Sequence, residues 1–195
     1  MRKLLLRSFQ SPGDIAMLTA AIRDLDACNH GVFLTSVDSS CPALWENNPF
    51  VAPAFGSEEA YEMIDCEYPL IHRSNTGPWH FIHAYHDFLS DRLGVRVQPT
   101  EFRGDIHLSA EEKGWISQVE EITGEHVPFW IIAAGGKFDF TAKWWPSDRY
   151  QAVVDHFRGK ILFVRVGEVG HHHPAMSGTL DLRGKTDLRQ FIRLM

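Results

Sequence analysis

The stretch that decides the fold is residues 3–18, which read KLLLRSFQSPGDIAML. A short apolar run, Lys3 to Arg7, predicts a strand, and Ser8 to Asp14 has the composition of a tight turn. From Ile15 to Ala27, apolar residues recur at three- and four-residue steps, which predicts an amphipathic helix. A second apolar run, Val32 to Val37, predicts another strand. The order strand, turn, helix, strand favours a parallel sheet covered by helices.

The middle of the chain is less regular, but two helices stand out. Residues 39–76 are rich in Pro, Asn and aromatic residues, and Tyr68 to His72 is the strand candidate among them. Apolar residues at helical spacing predict a helix from Trp79 to Leu93, which Gly94 ends. The same spacing predicts a second helix from Ser109 to Thr123.

A second α/β unit follows Gly124. Its predicted elements are a strand from Val127 to Ala134, a Gly135-Gly136 turn, a helix from Pro146 to Phe157, a strand from Lys160 to Val166 and a helix from Leu188 to Met195. The final helix is capped by Thr186 or Asp187. The sequence therefore predicts an α/β protein of two lobes, residues 1–124 and 125–195.

The last helix carries an apolar face without an evident partner. Leu188, Phe191, Ile192 and Met195 share that face, and no strand follows them. A parallel sheet of two or three strands also leaves a hydrophobic edge exposed. We therefore expect that the second lobe is incomplete, that the intact protein continues past Met195, and that this chain self-associates.

Composition and charge exclude several classes of protein. The chain is 44% hydrophobic and 23% charged, which is globular rather than disordered composition, and its net charge of -6 argues against a nucleic-acid binder. Apolar runs such as Phe129 to Ala134 are too short to span a bilayer. Three widely spaced cysteines and an N-terminus without a signal-peptide pattern predict a cytoplasmic protein.

The first turn places a carboxylate where catalysis is feasible. Asp14 follows Gly13 at the junction between the first strand and its helix. In that position Asp14 caps the helix, or it faces a cleft at the carboxyl end of the strand and acts as a general base. The residues alone leave both interpretations open.

The second turn combines glycines, cations and a hydroxyl group. Gly135 and Gly136 precede Lys137, while Thr141 and Lys143 stand just before the next helix. Helix N-termini and lysines bind phosphate, so this segment is either an anion-binding loop or a solvated turn.

Two groups of histidines suggest metal binding, although each group also has an interpretation without a metal. His80, His83 and His86 recur every three residues on a helix, where they are zinc ligands or polar residues that line a cleft. The His171 to His173 run precedes Pro174 and is typical of a surface loop.

Three blocks of sequence together resemble a known family. Residues 7–18, the segment GGK at 135–137 with TAKWWP at 141–146, and LRGKTDL at 182–188 are similar to motifs of the ADP-heptose lipopolysaccharide heptosyltransferases. These enzymes are GT-B glycosyltransferases. The resemblance implies a GT-B-like α/β fold with two Rossmann-like lobes, each built on a parallel sheet.

The same resemblance implies a function and a set of site residues. It implies inverting, metal-independent transfer of a sugar, with heptose as one candidate, from a nucleotide-activated donor to a glycan or lipopolysaccharide-type acceptor, without a cofactor. A lipid-linked acceptor would bring peripheral contact with a membrane. Asp14 matches the catalytic base, with Ser11 and Gly13 on the acceptor side. The implied donor-phosphate residues are Gly135, Gly136, Lys137, Thr141 and Lys143.

Departures from the family pattern keep two alternatives open. The family's later Asp-x-Gly-x-x-His segment has no counterpart in these residues, so one alternative is a sugar- or nucleotide-binding fragment without catalysis. The other is a histidine-dependent metallohydrolase, which would use the histidines of the predicted helix.

Overall fold

The computed structural model describes residues 1–67, 76–78, 80–138 and 144–195. These residues divide into two compact units, Met1–Ser109 and Ala110–Met195. In each unit, the described strands form a three-stranded sheet in which every pair is parallel. The strand predicted from Tyr68 to His72 lies outside the described residues.

The first unit is a β-α-β unit extended by one strand and one further helix. Its elements are β1 (Arg2–Ser8), α1 (Pro12–Cys28), β2 (Phe33–Ser39), a 3-10 helix (Pro42–Leu44), β3 (Glu62–Asp65) and α2 (Ile82–Leu93). The strand order is β2-β1-β3, so β1 is the central strand. The predictions for β1, α1 and β2 are confirmed, and so is the helix that Gly94 ends in a left-handed conformation, with φ 68°.

The core of the first unit follows the predicted periodicity. Leu4 and Leu6 of β1 are fully buried, and α1 contributes Ile15 and Leu18 to the same interior. Pro12 stands in the first turn of α1, where its missing N–H costs no hydrogen bond. The β1-α1-β2 part of the fold is therefore encoded by local sequence.

A buried polar network ties α1 to α2 and to the segment after α2. The Asp24 carboxylate is fully buried and accepts two hydrogen bonds of 2.9 Å from the Arg23 guanidinium. It also accepts from Thr100 Oγ1 at 2.5 Å and from His86 Nε2 at 2.7 Å. Burial alone would raise the pKa of Asp24, but the bonds from Arg23, Thr100 and His86 outweigh burial and hold that pKa below its ordinary value.

The second unit contains a second parallel sheet between helices. Its elements are α3 (Ala110–Lys113), α4 (Gln118–Thr123), β4 (Phe129–Ile132), α5 (Ser147–His156), β5 (Leu162–Arg165), β6 (Thr179–Asp181) and α6 (Leu188–Leu194). The strand order is β4-β5-β6. One core cluster forms around Val164 and Leu182, and another around Val154 and Phe163. The strands and helices predicted after Gly124 are confirmed, with shorter strands than expected.

The single helix predicted from Ser109 to Thr123 is wrong, and the boundary between the units moves with it. The segment forms α3 and α4 as separate short helices. Glu112 of α3 pairs with Arg189 of α6 through two bonds of 2.6 Å, and Val119 of α4 lies in the core of the second unit. The chain therefore divides after Ser109 rather than after Gly124, because both short helices pack against later elements.

The apolar face of the last helix is covered more than the sequence indicated. Asp187 caps α6 by accepting from Gln190 N at 2.7 Å. Phe191 packs against the core, Leu194 is buried, and Leu188 and Ile192 are half-buried. Among the four residues predicted to be uncovered, Met195 is the exposed one, at 72%. The expectation of a continuous exposed face is therefore wrong.

The expectation of a hydrophobic sheet edge is confirmed. Among the described strands, β4 pairs only with β5, so the other edge of β4 is open. A groove of about 670 Å³ runs beside this edge, and Trp130, Tyr150 and Met195 are among its lining residues. Trp130 remains 51% exposed there.

Candidate functional site

The carboxyl ends of parallel strands are where α/β folds bind ligands, and Asp14 lies beside such an end. The chain leaves β1 at Ser8 and enters α1 at Pro12, which places Asp14 in the first turn of the helix. Its Oδ2 accepts a hydrogen bond of 3.2 Å from Ser11 N–H. Among the described residues, Oδ1 has no partner. The carboxylate therefore caps the helix with one of its oxygens.

The two residues beside Asp14 have different structural roles. Ser11 is the N-cap of α1, with extended backbone at φ -67° and ψ 157°. Gly13 is exposed, and a Cβ at this position would meet no atom within 4 Å. Packing within the described part of the chain therefore does not require glycine at position 13, and the surface beside the turn is open.

Ser8, at the end of the central strand, is a residue that the sequence did not single out. It is only 2% exposed, and its Oγ is a buried atom without a hydrogen-bond partner among the described residues. Its backbone carbonyl accepts from Ser40 N at 3.2 Å, which fixes the end of β1 beside the end of β2. A serine in a tight turn gave no signal of this burial.

In the second unit, Gly135 and Gly136 bring the end of β4 against a distant loop. Gly136 N donates to His172 O at 2.9 Å, and His172 N donates to Gly136 O at 3.0 Å, which forms an antiparallel bridge. Gly135 has φ +97°, and a Cβ there would lie 2.1 Å from His172 O. This turn therefore requires a glycine for both conformation and space.

Replacing Gly135 with Ala should destabilise the second unit by about 1–3 kcal/mol. Alanine is strained at this positive φ, and its Cβ would also collide with His172 O. Gly170→Ala is the matched control in the same segment, since Gly170 has no positive φ and open space around its Cβ position. Denaturant unfolding of both variants checks this expectation. Equal stability of the two variants would contradict the proposed strain.

The bridge gathers three aromatic rings at the carboxyl end of β4. The Trp144 and His172 rings are stacked, with centroids 4.7 Å apart and 24° between planes. The Phe138 ring lies 5.2 Å from Trp144 and 5.3 Å from His172. Phe138 is nevertheless 70% exposed.

The neighbouring histidines hold the same loop in place. His173 Nδ1 lies 3.2 Å from Ala134 O and its Nε2 lies 3.0 Å from Glu168 O, so the ring links the ends of β4 and β5. His171 pairs with the Glu168 carboxylate at 2.8 Å. The histidine run lies in a surface loop, as predicted, and specific contacts anchor this loop at the strand ends.

Positive charge lies at the carboxyl ends of β5 and β6. Arg165, at the end of β5, is 5% exposed, and it donates to Pro174 O at 2.6 Å. Burial and the nearby charge of Arg183 lower the pKa of Arg165, and Asp181 only partly offsets them. Two hydrogen bonds from Arg183, of 2.8 and 2.6 Å, hold the pKa of Asp181 well below its usual range. Two guanidinium groups thus share one carboxylate here.

The remaining predicted phosphate ligands are only partly described. Lys137 is exposed and forms no ion pair with another described residue. Helix α5 begins after Pro146 and has no side-chain cap among the described residues, and an N-terminus of this kind binds anions through its first N–H groups. Thr141 and Lys143 lie outside the described residues.

The three histidines of the predicted metal site do not form one ligand set: the His80 and His83 rings lie 6.2 Å apart, whereas both ring nitrogens of His86 are bound elsewhere. His86 is fully buried and contacts Asp24 and the Ile82 carbonyl, whereas His80 is exposed. His80 and His83 lie against the Phe102 ring, with centroids 5.1 and 5.5 Å away. In the described ranges, no three His, Cys, Asp or Glu side chains group as metal ligands.

None of the described helices is long and apolar enough to span a membrane.

Comparison with known proteins identifies the fold. No family model and no curated protein matches the chain. Among solved structures, the glycosyltransferase family 9 protein of Veillonella parvula DSM 2008 matches 98% of this chain and 72% of its own, with 15% identity and a TM-score of 0.67. ADP-heptose LPS heptosyltransferase II of E. coli matches 100% of this chain and 76% of its own, with 15% identity and a TM-score of 0.60.

A third similar structure contains a bound nucleotide sugar. It is the dodecameric, iron-containing heptosyltransferase TibC of enterotoxigenic E. coli in complex with ADP-D-β-D-heptose. It matches 97% of this chain and 50% of its own, with 15% identity and a TM-score of 0.59. The predicted GT-B-like α/β fold, with a parallel sheet in each of two Rossmann-like units, is confirmed.

Proposed function

We propose that this chain transfers a sugar from a nucleotide-activated donor to a glycan or lipopolysaccharide-type acceptor. The observation that carries the proposal is the fold, since the glycosyltransferase match extends over 98% and 100% of the chain. We assign acceptor binding to the first unit and donor binding to the second.

The donor assignment rests on the carboxyl end of the second sheet. The departing nucleoside diphosphate gains negative charge, which cations and helix N–H groups stabilise. Lys137 and the start of α5 supply such groups from described residues, whereas the N–H of Gly136 in the predicted phosphate turn already donates to His172 O. The sequence adds Thr141 and Lys143. The TibC complex with ADP-D-β-D-heptose supports an ADP-activated heptose as the first donor to test.

The acceptor assignment rests on Asp14. Its carboxylate takes the proton of the acceptor hydroxyl as that oxygen bonds to the anomeric carbon of the sugar. The bond from the anomeric carbon to the diphosphate breaks at the same time, and the electron pair leaves with the diphosphate. One displacement of this kind inverts the anomeric centre, with the Asp14 carboxylate as the base and cationic groups, rather than a metal, at the diphosphate.

Release of the nucleoside diphosphate tests the proposal. The purified chain is incubated with ADP-heptose, with and without a lipopolysaccharide-derived acceptor, and ADP and the glycosylated product are measured. Acceptor-dependent release of ADP supports glycosyl transfer. Donor binding without release would favour the non-catalytic binding alternative, and no binding of any nucleotide sugar would contradict both.

Replacing Lys143 with Ala should weaken donor binding by about 1.5–3 kcal/mol, because a charge-assisted contact to phosphate is lost. Acceptor affinity should be unchanged. Lys160→Ala is the control, since Lys160 is exposed near the amino end of β5 and the change removes the same charge. Calorimetry with each ligand measures both variants, and equal weakening of donor and acceptor would contradict the assignment.

A further inference from the structure

Three aromatic rings at the carboxyl end of the second sheet have no role in the phosphate chemistry described above. We propose that Phe138, flanked by His172 and Trp144, forms a stacking surface for the planar base of the donor nucleotide. This inference rests on the proposed function, because it assigns the base to the unit that is assigned to the donor phosphates.

The position of the rings is fixed by the backbone rather than by a hydrophobic core. The double hydrogen bond between Gly136 and His172 holds the segment before Phe138 against the loop after β5. A Cβ on Gly136 would lie 3.4 Å from Trp144 Nε1, so the indole is packed directly beside this turn. The rings are therefore held together at a strand end, where α/β folds bind nucleotides.

The exposure of Phe138 indicates an external partner. Its side chain has no polar atom, yet the residue is 70% exposed while it touches two other rings. Trp144 and His172 cover one face of each other, and Phe138 is exposed beside them. A nucleobase offers a flat π-face that stacks on exposed aromatic side chains irrespective of its identity.

The charge next to the rings fits the rest of a nucleotide. Lys137 directly precedes Phe138 and is exposed without an ion-pair partner among the described residues. A ligand with a flat base at Phe138 and a diphosphate at Lys137 and the start of α5 would use both kinds of group. An apolar peptide or a lipid chain would not need the adjacent cation.

The test compares ADP with inorganic pyrophosphate, which lacks the base. Calorimetry on the whole chain should show that Phe138→Ala weakens ADP binding about tenfold, as loss of one base stack does, and leaves pyrophosphate binding unchanged. Phe138→Tyr keeps the ring and should restore the affinity for ADP. Phe102→Ala is the control, because Phe102 is a comparably exposed ring, at 61%, in the first unit.

Several results would overturn the stacking surface. They are equal affinity of the unmodified chain for ADP and pyrophosphate, unchanged ADP binding in Phe138→Ala, and parallel loss of both ligands in that variant. The failure of the proposed function would be recognisable separately. ADP binding that depends on Phe138 without any sugar transfer would support the stacking surface and contradict the proposed enzyme activity. Sugar transfer by the unmodified chain, together with normal ADP binding by Phe138→Ala, would support the activity and contradict the stacking surface.

Discussion

Replacing Asp14 with Asn should lower turnover by about 100-fold or more, since the general base of the proposed transfer is removed. The amide oxygen of Asn can still accept the hydrogen bond from Ser11 N–H, so the helix cap survives. The expected result is therefore a folded protein with an unchanged melting temperature and a low kcat. Initial rates of nucleoside diphosphate release at saturating donor and acceptor provide the measurement.

The control for this experiment lies at the other end of the same helix. Asp26→Asn changes the same charge and chemical group near the C-terminus of α1, and it should leave turnover unaffected. A comparable fall in both variants would indicate a general effect of charge rather than base catalysis. Unchanged turnover in Asp14→Asn would remove the role assigned to this residue.

The sequence predicts the elements that local periodicity encodes. The apolar spacing in α1 and the run in β1 depend on residues close together in the chain, and both elements form where expected. Gly94 and Asp187 likewise end and begin helices through contacts within a single turn. Turn chemistry also identified the glycine turn after β4, although not the loop that it meets.

Contacts between distant residues explain what the sequence did not predict. The ion pair of Glu112 with Arg189 draws α3 to the end of the chain, and no local pattern indicates it. His172 reaches Gly136 across the loop after β5, so a histidine run typical of a surface loop becomes part of the candidate site. Ser8, at the end of the central strand of three, is similarly buried only in the assembled sheet.

Asp24 is another residue whose role appears only in the assembled fold. In the sequence it is a charged residue that follows Arg23, yet its carboxylate is fully buried and bonds to His86 of α2. A buried carboxylate with complete hydrogen bonding fixes the partners around it, whereas its loss leaves buried charges without a counterion. The integrity of the first unit therefore depends on this side chain.

Replacing Asp24 with Asn should destabilise the first unit by about 3–5 kcal/mol, because buried Arg23 loses its hydrogen-bonded counterion and retains the Asp105 carboxylate at 3.8 Å. Arg23 would retain its bonds to the carbonyls of Glu101 and Arg103, at 3.0 and 3.3 Å, which do not neutralise its charge. Asp91→Asn, at an exposed position on α2, is the matched control and should have little effect. Chemical denaturation followed by near-UV circular dichroism measures both variants.

The same network predicts how stability depends on pH. The pKa of Asp24 is lower in the folded chain than in the unfolded chain, so the ionised carboxylate stabilises the fold. This stabilisation is fully present above the unfolded pKa of about 3.9 and is lost as the pH falls through the lower folded value. The unmodified chain should therefore lose more stability between neutral pH and acid than Asp24→Asn does. Parallel pH profiles for the two proteins would show that the buried carboxylate does not control acid unfolding, since the Asn variant has no proton to bind at this position.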